Sequence, residues 1–172
     1  MKFDDTIDNY FEESNFNKTA AMIGLGLGLS LNAPNVSADQ TNIAAETQQS
    51  VISPAFMHNL SNMESSGNPK AVGDGGLALG LFQLHRGAWE QVEKNIPYNK
   101  ENAFNPKINR RVAEKYLLWI EKYINRHTKK QPTIEQIYAG WNWGIGRLRK
   151  VDFDPTRAPQ QVQLRAAKLK HQ

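Results

Sequence analysis

The sequence predicts a single, mainly α-helical domain, and three observations carry that prediction. Apolar residues recur at helical spacing through several stretches bounded by Pro, Gly and capping residues. No segment alternates apolar and polar residues between hairpin signals, and no internal repeat is present. The chain has 172 residues, 40% hydrophobic and 22% charged, which suits one globular domain with some extra length rather than two domains. No apolar run reaches the roughly 18 residues that would span a membrane. Cys is absent, which excludes disulfides, Cys-ligated metals and thiol nucleophiles together.

The first element is a leader. Ala20 to Leu31 is twelve residues without a charge, preceded by Lys18 and followed by Val36 and Ala38 three and one residues before a cut site. Residues 1–38 therefore read as a signal peptide cleaved between Ala38 and Asp39, although their long acidic start departs from that pattern. The alternative is a buried Gly-interrupted helix or an N-terminal arm of an intracellular or virion protein. A polar linker covers 39–52. The folded body, 53–172, opens at Ser53-Pro54, a helix N-cap followed by Pro at the first helical position. Phe56, Leu60 and Met63 continue that helix until Gly67-Asn68-Pro69 stops it. A Gly-rich loop occupies 71–80, and a short helix is expected from about Phe82 to Val92.

Asn105-Pro106 caps the longest helix, expected to run to about Arg126. Ile108, Val112, Tyr116, Trp119, Ile120 and Tyr123 span about 120° of it, and Ala113, Leu117 and Ile124 widen the stripe, which makes it the central helix. A shorter helix is expected from Pro132-Thr133 to Gly140, and a basic one from Pro159 to Lys170 with Val162, Leu164 and Leu169 as its apolar positions.

Charge divides the chain. Residues 1–38 hold two basic and five acidic side chains, a net of −3, whereas 39–172 hold 19 basic and 12 acidic, a net of +7. A basic body attracts polyanions, whether nucleic acid, anionic lipid or anionic wall polymer. The clusters Arg110-Arg111, Lys129-Lys130 and Arg147, Arg149, Lys150 come without a nucleic-acid recognition signature, so no nucleic-acid partner is expected.

Glu64 is the first candidate for chemistry. Met57, Leu60 and Glu64 lie within about 60° on their helix, at the edge of its apolar stripe. Desolvation there disfavours the carboxylate and raises its pKa, and a carboxyl that keeps its proton near neutral pH can protonate a leaving-group oxygen. Alone, such a Glu is usually a solvated surface residue. Its neighbours change the weighing: Glu64-Ser65-Ser66-Gly67-Asn68-Pro69 and Ala71 are followed by Gly80-Leu81-Phe82-Gln83-Leu84, and later by Ala139-Gly140-Trp141-Asn142-Trp143-Gly144-Ile145-Gly146.

These three segments, in this order over about 53–150, resemble the lytic transglycosylase (SLT-domain) family of the lysozyme-like superfamily. That family carries E-S-[SG]-x-N-P-x-A, G-L-[MF]-Q-[IL] and A-Y-N-x-G-x-G. The resemblance implies a compact, goose-type lysozyme-like helical domain with a substrate cleft. It assigns the single catalytic acid to Glu64 and a supporting role to Ser65. Gln83 and Phe82 fall at the sugar groove, Asn142 at a substrate contact, and Gly144 and Gly146 where backbone approaches the sugar. Peptidoglycan glycan strands are the implied partner, and neither a cofactor nor a metal is expected. A small member of this kind is expected to act as a monomer in the periplasm or outside the cell, or in a phage virion, assisting a secretion, conjugation or phage-infection apparatus.

Two departures stand out. The third motif normally places a Tyr hydroxyl near the acid, and this chain has Trp141, which donates only through its ring N–H; Tyr138, one turn earlier, is the substitute at hand. The loop Gly73-Asp74-Gly75-Gly76-Leu77-Ala78-Leu79-Gly80 looks more like the D-G-G-x-A-x-G-x-x-Q-I stretch of some phage and invertebrate-type lysozyme-like proteins. Asp74 is thus either an Asp-Gly turn residue, the preferred reading, or a second catalytic carboxylate.

Among the remaining side chains, Trp119 faces the core stripe, Trp89 is a less specific candidate for sugar stacking, and Trp141 and Trp143 are the better ones. His58, His85, His127 and His171 show no metal spacing, and His85 reads as a surface or core residue with a groove position as the alternative. The Ser residues near Glu64 lack triad partners. The rivals to a transglycosylase are a hydrolytic lysozyme using Glu64 with Asp74, and a non-catalytic peptidoglycan-binding module.

Overall fold

The computed structural model describes residues 50–170. The expected leader over 1–38, its cut after Ala38, most of the 39–52 linker and His171 lie outside these described residues.

Helix α1, Pro54–Ser65, starts as expected: the Ser53 hydroxyl accepts from the Phe56 N–H at 3.1 Å, with Pro at the first position. Phe56, Met57 and Leu60 are buried, and Ser66 turns left-handed (φ 54°) to end the helix. The Gly-rich stretch then folds into a small antiparallel sheet of β1 (Val72–Gly73), β2 (Ala78–Leu79) and β3 (Leu84–His85), in that order, which the sequence did not signal. Val72 pairs with Leu79 and Ala78 with His85. Strands of two residues are too short to show an alternating pattern.

The helix expected from Phe82 begins only at Arg86 and forms α2, Arg86–Val92. The cause is Gln83, whose φ of 48° is left-handed, and the pairing of Leu84-His85 with β2. One turn, α3 (Lys100–Ala103), follows an Asn99 cap. Central helix α4, Pro106–Thr128, is capped by Asn105, which accepts from Lys107 and Ile108, and its expected stripe is buried or half-buried. Two polar residues join that buried face: Asn109 and Glu121.

Helix α5, Ile134–Ala139, has a Thr133–Gln136 capping box. Gly140 does not stop it, contrary to expectation; the chain runs on through one π-helical turn, Gly140–Gly144, into α6, Ile145–Arg149. Gly140 serves close packing here, since a Cβ on it would lie 2.8 Å from Ile120 of α4. Such π turns are concentrated at functional sites. After a short 3₁₀ turn at Pro155–Arg157, α7 (Gln160–Lys170) packs mainly on α5 and also against α1. It buries Val162, Ala166 and Leu169, whereas Leu164, expected on its apolar face, is 54% exposed. Among the described residues no helix is long and apolar enough to cross a membrane.

Candidate active site

A cleft lined by Glu64, Asp74, Ala78, Gln83, His85, Trp141, Asn142 and Arg165 lies between the end of α1, the small sheet, the π turn and α7. The local sequence explains each position. Glu64 is carried at the last turn of α1, on the side that Leu60 takes into the core. The Ser65 hydroxyl donates to the Leu81 carbonyl at 2.7 Å, tying that turn to the loop before β3. The loop is braced a second time by Asn109, wholly buried on α4, whose side chain accepts from Phe82 N–H at 2.9 Å and donates to the Leu79 carbonyl at 3.2 Å. Gly80, at φ 80°, makes this approach possible, because a Cβ there would run into the Ala103 carbonyl and come within 2.6 Å of the Asn109 amide.

Glu64 is half-buried, and its carboxyl holds its proton to higher pH than an ordinary glutamate. Burial is the largest cause; Arg165 pulls in the opposite direction, as do the Trp141 indole N–H and the Tyr138 hydroxyl turned toward it, while the Asp74 charge adds to the rise. Two polar atoms in this group are nonetheless buried without a partner at hydrogen-bonding geometry: Glu64 Oε1 and the Tyr138 hydroxyl. Burial and the neighbouring Glu64 also push the Tyr138 phenol far up, so it stays a neutral donor. A carboxyl that lines a cleft and whose protonated form is favoured by burial has the chemistry a general acid requires.

The other expected residues divide. Trp141 and Asn142 line the cleft, Trp141 half-buried and Asn142 exposed, and Tyr138 is buried behind them. The Trp141 indole N–H is one of the donors turned toward Glu64. Gln83 lines the cleft but its amide N–H₂ is engaged, donating to the Gly80 carbonyl at 2.8 Å and to the Ala71 carbonyl at 3.2 Å. Phe82, expected in the groove, is fully buried, with no surface left for a sugar. Gly144 adopts φ 102° where the π turn meets α6, and Gly146 is exposed on α6. Trp89 and Trp119 are core residues, and Trp143 is half-exposed.

Asp74 is a turn residue, with φ 48° and its carbonyl accepting from Leu77 N–H at 3.2 Å, and it also faces the cleft. Its carboxylate pairs with His85 Nε2 at 2.8 Å, which makes His85 a cleft residue. Their side chains are 69% and 49% exposed, so the pair contributes little to stability. Arg165 and Asn109 were not foreseen. Both carried a signal: each is a polar residue within the apolar periodicity of its helix, Asn109 beside Val112 and Ala113, Arg165 between Val162 and Leu169. Among the described residues no cluster of His, Asp and Glu could hold a metal ion.

Compared with families of known proteins, the chain matches the one described as Transglycosylase SLT domain over residues 41–161. The chain belongs to this family. The SLT domain accounts for the helical lysozyme-like fold, makes peptidoglycan the substrate, and gives the chain lytic-transglycosylase-type cleavage of the wall as its family-level function. No curated protein and no solved structure matches the chain. The SLT match takes in α1, the sheet, α4 and the π turn, and ends within α7 just before Arg165.

Proposed function

We propose that this SLT domain cleaves the β-1,4 bond between N-acetylmuramic acid and N-acetylglucosamine with Glu64 as its single acid and base, leaving 1,6-anhydro-N-acetylmuramic acid ends. The observation that carries this reading is the half-buried Glu64 carboxyl lining the cleft, its pKa raised by burial and one of its oxygens without a hydrogen-bond partner. Glu64 gives its proton to the bridging oxygen as that bond breaks, and the substrate's acetamido oxygen stabilises the anomeric carbon. The resulting Glu64 carboxylate takes the proton from the C6 hydroxyl, whose oxygen closes the anhydro ring on that carbon. Tyr138 and Trp141 supply the donors that steady the carboxylate between the two transfers.

The basic body suits an anionic wall, and the family match begins at residue 41, just past the cut expected after Ala38. Both support action on the wall side of the membrane. A second reading, hydrolysis by Glu64 with Asp74, is favoured by one observation: Asp74 lines the same cleft. The test of Glu64 is the Glu64→Gln protein, assayed for lysis of purified walls and for co-sedimentation with them. We expect lysis to vanish and binding to persist. Undiminished lysis removes Glu64 from the chemistry, and a wild-type protein that binds without cleaving makes the chain a binding module.

A further inference from the structure

Arg165 stands on α7 beyond the segment matched to the SLT family, so nothing in that match assigns it. It lies three residues after Val162 and four before Leu169, both buried, which turns it toward α1 and the cleft. Its Nη2 donates to the Met63 carbonyl at 2.9 Å. That carbonyl belongs to the last turn of α1, where carbonyls have no partner within their own helix, and it immediately precedes Glu64. A guanidinium at this end of a helix both satisfies the carbonyl and complements the helix dipole. Arg165 also lines the cleft beside Glu64, Trp141 and Asn142.

We propose that Arg165 is a positioning residue for Glu64: it clamps the last turn of α1 through the Met63 carbonyl and holds a fixed positive charge beside the carboxyl while that group is ionised between its two proton transfers. This role rests on the function proposed above. The groups facing Glu64 are Arg165 from α7, Tyr138 from α5, Trp141 from the π turn and Asp74, with His85 at its side, from the sheet wall. Arg165 is the strongest of those that favour the ionised carboxyl. It therefore offsets the burial that favours the protonated form, leaving an acid that can also serve as a base.

The test follows the Glu64 carboxyl by carbon-13 NMR titration in the whole protein, alongside wall lysis as a function of pH. In Arg165→Gln we expect the Glu64 midpoint and the alkaline limb of the lysis profile to move up together, with the rate falling between about tenfold and 100-fold through lost positioning. Arg165→Lys keeps the charge without the fork, so its midpoint stays near the wild-type value while the rate recovers only in part. A folded Arg165→Gln protein with an unmoved midpoint overturns the proposal. Should that variant unfold, an Arg165→Lys protein that lyses walls at the full wild-type rate overturns it instead, because the forked clamp on the Met63 carbonyl is then dispensable. A Glu64→Gln protein that still lyses walls removes the proposed function and this role together. Loss of lysis in Glu64→Gln with an unmoved midpoint in Arg165→Gln removes this role alone.

Discussion

The two walls of the cleft carry one carboxylate each, and they treat it in opposite ways. On the helical wall Glu64 is half-buried, raised in pKa and short of one hydrogen-bond partner, next to a Tyr138 hydroxyl that also lacks one. On the sheet wall Asp74 is largely exposed and already paired with His85, and the Gln83 amide is spent on two loop carbonyls. Buried polar groups are nearly always satisfied, so those left open call for an explanation. The contrast teaches that bonding capacity in this cleft is reserved on the helical wall, whereas the sheet wall uses its polar groups to hold its own shape. Two carboxylates in one cleft take different roles from their surroundings.

The largest effect that can break this contrast is expected at Glu64. Glu64→Gln should lower wall lysis by roughly a thousandfold or more, as removal of a general acid does. The same change should raise stability, in a pH-dependent way. A carboxyl whose folded pKa lies above its unfolded one contributes stability that is fully present below the unfolded pKa and lost as pH rises through the folded value. The gain of Glu64→Gln over wild type should therefore grow toward neutral pH and shrink in acid, read as the difference in Tm between the two proteins. A gain that grows toward acid would reverse the sign of the burial effect.

Next in size is the support beneath the sheet wall. Asn109→Leu leaves the Phe82 N–H and Leu79 carbonyl buried and unpaired and should cost roughly 2–4 kcal/mol, measured by urea denaturation. Tyr138→Phe removes a buried hydroxyl that has no partner of its own, so stability should hold or rise while lysis falls roughly tenfold. An unchanged rate would place the donor function on Trp141 alone. Smallest is Asp74→Asn, for which lysis should change by no more than about threefold, against the hundredfold or larger loss expected of a second catalytic carboxylate.

The sequence made the helical wall more legible than the sheet wall, and the reason is physical. Helices announce themselves through caps and a repeated stripe, as Ser53, Asn105 and Thr133 and the α4 face did. The strands at 72–85 are two residues each, and their placement depends on the left-handed backbone of Asp74 and Gln83, which no periodicity reports. Gly140 misled in the other direction: glycine commonly ends a helix, but here it lets α5 pack against Ile120. Phe82 sits inside a motif associated with sugar binding, yet its side chain went to the core, because a motif fixes the backbone path and leaves each side chain's direction to packing. Arg165 brings α7 into the cleft from 101 residues after Glu64, a proximity that only the tertiary fold creates.

The most direct test of the division between the walls is the mass of the muropeptides released from purified peptidoglycan by the wild-type and Asp74→Asn proteins. The account requires 1,6-anhydro-N-acetylmuramic acid ends from both, each lighter by one water than a hydrolytic product. Reducing ends from the wild type, lost when Asp74 is changed, would contradict it and make the sheet wall a partner in hydrolysis.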